Sequence, residues 1–173
     1  MGGTAGGLRL HAPPGRALRP TSERVREAVF SSLESNGTVD GARVVDLFAG
    51  TGALGIEALS RGAVRAVFVD DDPVALAAVQ SNLAATGLAD SGAIVRSDVV
   101  RFLEGHRDEF DLAFVDPPYE FDAWPEVFAA LGAGTAVLES NRELDPGERW
   151  RTVKQKRYGD TVVTVIVRSP VAD

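Results

Sequence analysis

The chain predicts an α/β fold: a mostly parallel, seven-stranded sheet closed by a C-terminal antiparallel hairpin, with a short N-terminal extension before it. Two observations carry this. From residue 43 onward, strand-like apolar runs alternate with helical ones. The alternation then ends in two strand-like runs joined by Tyr158-Gly159-Asp160, which is the signature of a hairpin. At 173 residues, 45% hydrophobic and 25% charged, the chain has the length and composition of one domain with a real core.

The N-terminal Gly-Gly-Thr-Ala-Gly-Gly of residues 2–7 cannot hold a stable helix. Leu8-Arg9-Leu10 is compatible with a short strand, and Pro13-Pro14-Gly15 with a turn. Arg19-Pro20-Thr21-Ser22 opens a helix that Thr21 or Ser22 can cap. Val25, Ala28, Val29 and Leu33 share its apolar face, Arg24 and less cleanly Arg26 point away, and Asn36-Gly37 ends it. The first strand spans Arg43–Phe48. The helix Ala53–Ser60 follows, with Leu54, Ala58 and Leu59 as its buried set. Arg65–Val69 is the second strand. Asp72-Pro73 starts the next helix, with Asp as cap and Pro at the first position. Ala93–Arg96 is the third strand, followed by a short helix with Val99, Val100, Phe102 and Leu103. Phe110–Val115, Trp124–Leu131 and Thr135–Glu139 are strand, helix and strand, before the hairpin of Trp150–Arg157 and Thr161–Val167. The strand–helix alternation makes the sheet parallel and the hairpin adds an antiparallel edge.

The composition removes several kinds of chemistry. No cysteine is present, which excludes disulfides, thiolate zinc sites and Cys nucleophiles and fits a reducing cytosol. With only His11 and His106, a multi-histidine metal site is not expected. No apolar run approaches a membrane span, and the N-terminus lacks the apolar core of a signal peptide. The expectation is a cytoplasmic, monomeric protein with no membrane or metal partner. Net charge is −7, distributed unevenly. Residues 1–30 carry five arginines against two glutamates, and residues 148–173 carry six cations against three acids, each a net +3, which leaves −13 for residues 31–147. If the two basic ends converge, they form a patch that can meet phosphates.

Asp116-Pro117-Pro118-Tyr119 follows the apolar run Phe110–Val115. Prolines cannot donate to a sheet ladder, so pairing stops there, at the edge of an α/β sheet where ligands bind. A rigid loop can arrange a carboxylate, a backbone carbonyl and a ring around one planar group. That suits the exocyclic amine of a nucleobase: oxygens accept from the NH2 and the ring stacks on the base. Read as packing alone, the same residues make a stiff strand-to-helix turn with a surface tyrosine.

A second constellation runs from Asp46 through the glycine-rich Gly50-Thr51-Gly52-Ala53-Leu54-Gly55. The glycines match a dinucleotide fingerprint, by itself a weak signal. Asp46 argues against a nicotinamide site, because a carboxylate there repels a pyrophosphate docked on the following helix. It attracts a cation, such as the sulfonium and ammonium of S-adenosyl-L-methionine. Among Asp70-Asp71-Asp72, Asp70 is placed to accept from ribose hydroxyls, and Asp98 can accept from an adenine N6 amine. Acids thus stand at or near four successive strand ends: Asp46, Asp70, Asp98 and Asp116. Singly each reads as a cap or a solvated charge; in phase along one edge they describe a pocket for a cationic nucleoside.

These motifs resemble the Rossmann-like class I S-adenosylmethionine-dependent methyltransferases with a DPPY loop, and more specifically the RsmD family of 16S rRNA guanine-N2 methyltransferases. The resemblance rests on Arg19 through Phe30, Asp46 through Ala63, Phe110 through Tyr119, and Lys156 through Thr161. The first of these segments is the specific one. The family's usual Arg-Ile-Ile strand before the Gly-Gly falls where Met1 stands, so the N-terminal hairpin and part of the RNA contact are expected to differ. The resemblance implies that Asp46, Phe48, Gly50 and Gly52 hold the methionine part of the cofactor, Asp70 the ribose and Asp98 the adenine. Asp116 and the Pro117 carbonyl would grip the guanine N2 amine, with Tyr119 on the base. Arg19, Thr21, Arg24 and Arg26 would lie near the RNA. Residues 1–36 would then be an extension with an RNA-contacting helix, and 37–173 the methyltransferase domain. The implied partner is 16S rRNA in an assembled or assembling small subunit, since the net charge disfavours tight binding to bare RNA.

Four rivals stand beside this reading. An adenine-N6 DNA or RNA methyltransferase also suits DPPY but would need a target-recognition region, and methylation of a protein glutamine amide is weaker still. A NAD-dependent dehydrogenase explains the glycines and Asp70 but not Asp46 or DPPY. A non-catalytic RNA-binding factor would have no use for intact motifs.

Overall fold

In a computed structural model, which describes residues 1–12, 22–107 and 109–170, one seven-stranded sheet forms the middle layer in the order β3-β2-β1-β4-β5-β7-β6. The strands are β1 Arg43–Leu47, β2 Arg65–Asp70, β3 Gly92–Arg96, β4 Phe110–Val115, β5 Ala133–Ser140, β6 Trp150–Tyr158 and β7 Thr161–Arg168. The first five pair in parallel, and β7 pairs antiparallel with both β5 and β6. The expected strand–helix alternation and hairpin are therefore present. The hairpin is attached through its second strand, with β6 outermost.

The helices are α1 Ser22–Ser35, α2 Ala53–Ser60, α3 Pro73–Thr86, α4 Val99–Gly105 and α5 Trp124–Ala130. They cover both faces of the sheet. α1, α2 and α3 pack Val25, Val29, Phe30, Leu33, Ile56, Val79 and Leu83 against Phe68, Phe114, Val163 and Val165. α4 and α5 pack Val99, Phe102, Trp124 and Val127 against Leu47, Val69, Val115, Leu138 and Ile166 on the opposite face. Alternation along each strand sends successive side chains to the two layers. Helix α3 begins as its sequence predicts: Asp72 accepts from the Val74 N–H (2.8 Å), Pro73 opens the first turn, and Gly87 closes the helix with a left-handed φ of 71°.

Several details differ from expectation. Leu8-Arg9-Leu10 is not a strand; among the described residues 1–12 the only regular element is a single 3-10 turn at Gly3–Ala5. In α1 the fully buried residue is Phe30, whereas Ala28 is only partly covered. In α2, Ile56 and Glu57 are buried and Leu54 is not. The α1 residues belong to the same core as β1, β4 and β7, so packing does not divide the chain between residues 36 and 37. The turn at Pro13-Pro14-Gly15, together with Arg19, Thr21 and the capping role of Thr21 or Ser22, lies outside the described residues and side chains.

The described parts of the two basic ends do meet. Ala28, Val29 and Ser32 of α1 line a recess of about 250 Å³ with Lys154, Lys156 and Tyr158 of β6 and Val163 and Val165 of β7. From Arg151 to Arg157, β6 is exposed throughout and its ladder is interrupted between Thr152 and Lys154. Charges and a bulge on an outer strand also protect it from pairing with another sheet.

Candidate active site at the carboxyl edge of the sheet

The strand order reverses between β1 and β4, because β2 and β3 lie to one side of β1 and β4 and β5 to the other. A crevice at the carboxyl ends of such a pair is where open α/β sheets bind ligands. Register places the acids there. Asp46 pairs with Phe68 on one side and Phe114 on the other. Two residues further along those strands stand Asp70 and Asp116. With a side-chain period of two, Asp46, Asp70 and Asp116 fall on the same side of the sheet. The Asp116 N–H points at the Leu47 carbonyl (3.5 Å), which ties the start of the Asp-Pro-Pro-Tyr loop to the end of β1.

Asp46 is 1% exposed. Its Oδ2 accepts from the Gly55 N–H at 2.9 Å, inside the first turn of α2. Burial pushes its carboxyl well above the ordinary carboxylate range; the Gly55 N–H pulls it back, and the charges of Asp116 and then Asp70 push it further up. The folded chain therefore keeps this proton over a pH range in which the unfolded chain has lost it. Stability falls as pH rises from the ordinary Asp value through the raised one. We expect Asp46→Asn to stabilise the ligand-free protein at neutral pH by roughly 1 kcal/mol or more. Thermal unfolding of both proteins between pH 5 and 8 checks this: the wild type should lose ground to the variant as pH rises, and parallel curves would contradict the assignment.

The glycine turn leads from the end of β1 into the helix whose Gly55 holds this carboxylate. Gly50 and Gly52 adopt φ of 58° and 80°, the left-handed region that glycine tolerates. Gly55 must be glycine for another reason. A Cβ there would stand 2.4 Å from the Phe68 ring and 3.2 Å from the Asp46 Cβ. The Gly50 N–H donates to Asp70 Oδ2 (3.0 Å), and the Asp72 N–H to Asp70 Oδ1 (3.0 Å), so Asp70 holds the turn as well as facing the crevice. Asp98 caps α4 by accepting from the Arg101 N–H at 3.0 Å. Three of the four edge acids thus support the backbone. The acids read as a pocket in phase along one edge therefore also serve the backbone, since one carboxylate can accept from an N–H with one oxygen and present the other.

Phe48 is the one described non-glycine residue with positive φ, at 59°. Holding a phenylalanine there carries a strain of about 1–3 kcal/mol. The turned-out ring meets Phe121 edge-on at 5.0 Å, and Phe121 meets Trp124 at 5.5 Å. An aromatic chain therefore connects the glycine turn to the Asp-Pro-Pro-Tyr loop. Asp116, Pro117, Pro118, Tyr119, Phe121, Trp124, Glu139, Ser140 and Asn141 line a recess of about 260 Å³ there. Pro117 is buried, Asp116 partly buried, and Tyr119 is exposed at the rim. Reading the sequence did not find Phe121, Trp124 or the Glu139-Ser140-Asn141 end of β5. Extending the strand-end argument to the fifth parallel strand would have found the last three.

The proposed RNA-facing arginines separate. Arg24 is exposed on α1. Arg26 does not point away from the core: it is 13% exposed, with Nε 3.8 Å from Glu57 Oε2. Arg26 thus belongs to a buried charge cluster, which corrects its expected orientation towards RNA.

These residues fit S-adenosylmethionine: a buried acid tied to the first turn of α2, a glycine turn in the left-handed region at Gly50 and Gly52, an aromatic ring turned out at its start, and a second acid at the next strand. The Conserved hypothetical protein 95 family model matches residues 1–167. Ribosomal RNA small subunit methyltransferase D of Escherichia coli K12 is 39% identical over 97% of this chain and 88% of its own length. The solved structure of yhhF from Escherichia coli superposes with a TM-score of 0.85 at 30% identity, covering 97% of this chain and 96% of that one. The T. thermophilus 16S rRNA N2 guanine methyltransferase RsmC, solved with AdoMet and guanosine, gives a TM-score of 0.70 at 26% identity, over 90% of this chain and 45% of its own. With the Rossmann-like order of its sheet and a family match along nearly its whole length, the chain belongs to the Conserved hypothetical protein 95, or RsmD, family of methyltransferases.

Proposed function

We propose that the protein transfers a methyl group from S-adenosyl-L-methionine to the exocyclic N2 amine of a guanine in 16S rRNA. The observation that supports this most is the position of Asp116-Pro117-Pro118-Tyr119, at the end of β4 and across the switch point from Asp46, on a chain similar to small-subunit rRNA methyltransferases. When bound, S-adenosylmethionine supplies an electrophilic methyl group on a sulfonium. Asp46, Phe48, Gly50 and Gly52 hold its methionine part, Asp70 the ribose and Asp98 the adenine. The guanine N2 lone pair is delocalised into the ring. Asp116 and the Pro117 carbonyl accept its hydrogens and favour a pyramidal nitrogen whose lone pair faces the methyl carbon. Alignment at about 3–3.5 Å supplies much of the remaining acceleration. Asp116 would stabilise the positive charge that the nitrogen gains as its bond to the methyl carbon forms and the carbon–sulfur bond breaks, more than it stabilises the ground state, and the amine would then release one proton to solvent. Tyr119 stacks on the extruded base.

The substrate in this reading is a partly or fully assembled small subunit in the cytoplasm. Its proteins would complete a recognition surface that a chain of net charge −7 cannot supply alone. Arg24→Glu should weaken subunit binding about three- to ten-fold at physiological salt and leave cofactor affinity unchanged. Unaltered transfer kinetics on subunits would remove Arg24 from the contact surface. The reading itself is tested by offering unmodified small subunits, bare 16S rRNA, DNA and total protein with labelled S-adenosylmethionine and identifying the product by mass. N2-methylguanosine from subunits supports it; N6-methyladenine, or label in protein alone, overturns the substrate.

A further inference from the structure

Asn82 lies on α3 with no exposed surface, although nothing in the reaction above uses it. Its Oδ1 accepts from the His11 N–H (2.8 Å), and its Nδ2 donates to the His11 carbonyl (3.0 Å) and the Thr51 carbonyl (2.9 Å). One amide thus holds the N-terminal arm and the glycine turn together, using three of its four hydrogen-bonding positions. Asparagine is a poor residue for a helix interior, and a buried amide is costly unless it is paired. On packing grounds alone an aliphatic residue would serve better here.

The arm is seated at its other end too. The Gly2 N–H donates to Glu57 Oε1 (2.8 Å) and the Ala5 N–H to Ser60 Oγ (2.7 Å). Gly3, with φ of 68°, lies so close to α2 that a Cβ would overlap the Ser60 carbonyl. After His11 and Ala12 the chain enters the segment that carries Arg16 and Arg19 in the sequence. On the other side of Asn82, Thr51 stands between Gly50 and Gly52, and the Gly50 N–H reaches Asp70. The glycine turn is therefore held on one side by Asn82 and the arm, at the Thr51 carbonyl, and on the other by Asp70, at the Gly50 N–H.

We propose that Asn82 is a positioning residue that couples seating of the N-terminal arm to the shape of the cofactor turn. This rests on reading Gly50-Thr51-Gly52 as that turn. A seated arm orients the Asn82 amide, which holds the Thr51 carbonyl and so fixes the turn that presents Gly50 and Asp70. Coupling of this kind is reciprocal, so a ligand on the turn must also stabilise the arm.

Hydrogen exchange of residues 8–12, with and without S-adenosylhomocysteine, measures the coupling on the whole chain and without RNA. In the wild type the ligand should slow exchange of the His11 amide about five- to ten-fold. Asn82→Ala should remove that ligand dependence and weaken S-adenosylhomocysteine binding roughly ten-fold. Asn82→Asp keeps an acceptor for the His11 N–H but places an acceptor against the Thr51 carbonyl, so it should also lose ligand affinity. Leu83→Ala, a neighbouring core truncation, controls for lost stability and should leave both readouts within about two-fold. Ligand binding by the wild type with no change in arm exchange overturns the coupling alone. So does either Asn82 variant that keeps wild-type affinity and arm protection. Failure of the wild type to bind S-adenosylhomocysteine overturns the cofactor reading together with the coupling.

Discussion

Asp116→Ala should reduce methyl transfer by at least about 10²–10³-fold, in line with losing a preorganised group that faces developing charge. Cofactor affinity should stay within about three-fold of wild type. The reason lies in the register. Asp116 is the first residue beyond β4, at the recess lined by Pro117, Pro118 and Tyr119, whereas Asp46 lies one residue before the end of β1, buried beneath the glycine turn. The substitution removes one unit of negative charge near Asp46, so it should also lower the raised Asp46 pKa. Single-turnover rates at saturating S-adenosylmethionine separate transfer from binding.

Arg61→Ala should destabilise the fold by about 3–5 kcal/mol, the usual result of removing one member of a buried ion pair. Arg61 is 6% exposed and donates from Nε to Glu57 Oε1 (2.9 Å), from Nη1 to Glu34 (2.8 Å) and from Nη2 to Glu27 (2.8 Å). Its guanidinium also lies 5.2 Å from the centre of the Phe30 ring. Glu27 and Glu34 are solvated, so their share is small. Glu57 decides the effect. It is 1% exposed, and among the described residues only Arg26, at 3.8 Å, would remain as its ionic partner. The double variant Arg61→Met with Glu57→Gln should recover most of the loss. Urea denaturation checks both, as a lowered midpoint at constant slope for the single variant. A single variant within about 0.5 kcal/mol of wild type would show that the buried Arg61–Glu57 pair at the end of α2 contributes little to stability.

Local signals carried much of this architecture. The strands and helices were legible because apolar periodicity and cap residues such as Asp72-Pro73 act over a few residues. The carboxyl-edge acids were legible because alternation fixes where each strand ends. What could not be read depends on distant partners. Arg26 sits beside Val25 and Val29 on α1, and a helix-face argument cannot say that Glu57 of α2 draws it inward. Asn82 looks like a helix-surface residue until the arm, 71 positions away, is brought against it. Asp98 and Asp70 stood out as ligand-facing acids, yet both also serve backbone N–H groups within a few residues or one strand away. The strain at Phe48 has no local signal, since the sequence marks only glycines for positive φ. Its Phe121 partner follows the Asp-Pro-Pro-Tyr motif too closely to be read apart from it.

In the proposed function two carboxylates on one sheet edge divide the work, Asp46 holding the cofactor and Asp116 the amine. The most direct measurement is the dissociation constant of S-adenosylmethionine, taken alongside the single-turnover transfer rate on small subunits, for wild type, Asp46→Asn and Asp116→Ala. Asp46→Asn should lose cofactor affinity, and Asp116→Ala should bind cofactor normally but fail to transfer. Loss of cofactor binding in Asp116→Ala, or full affinity in Asp46→Asn, would contradict this division of work.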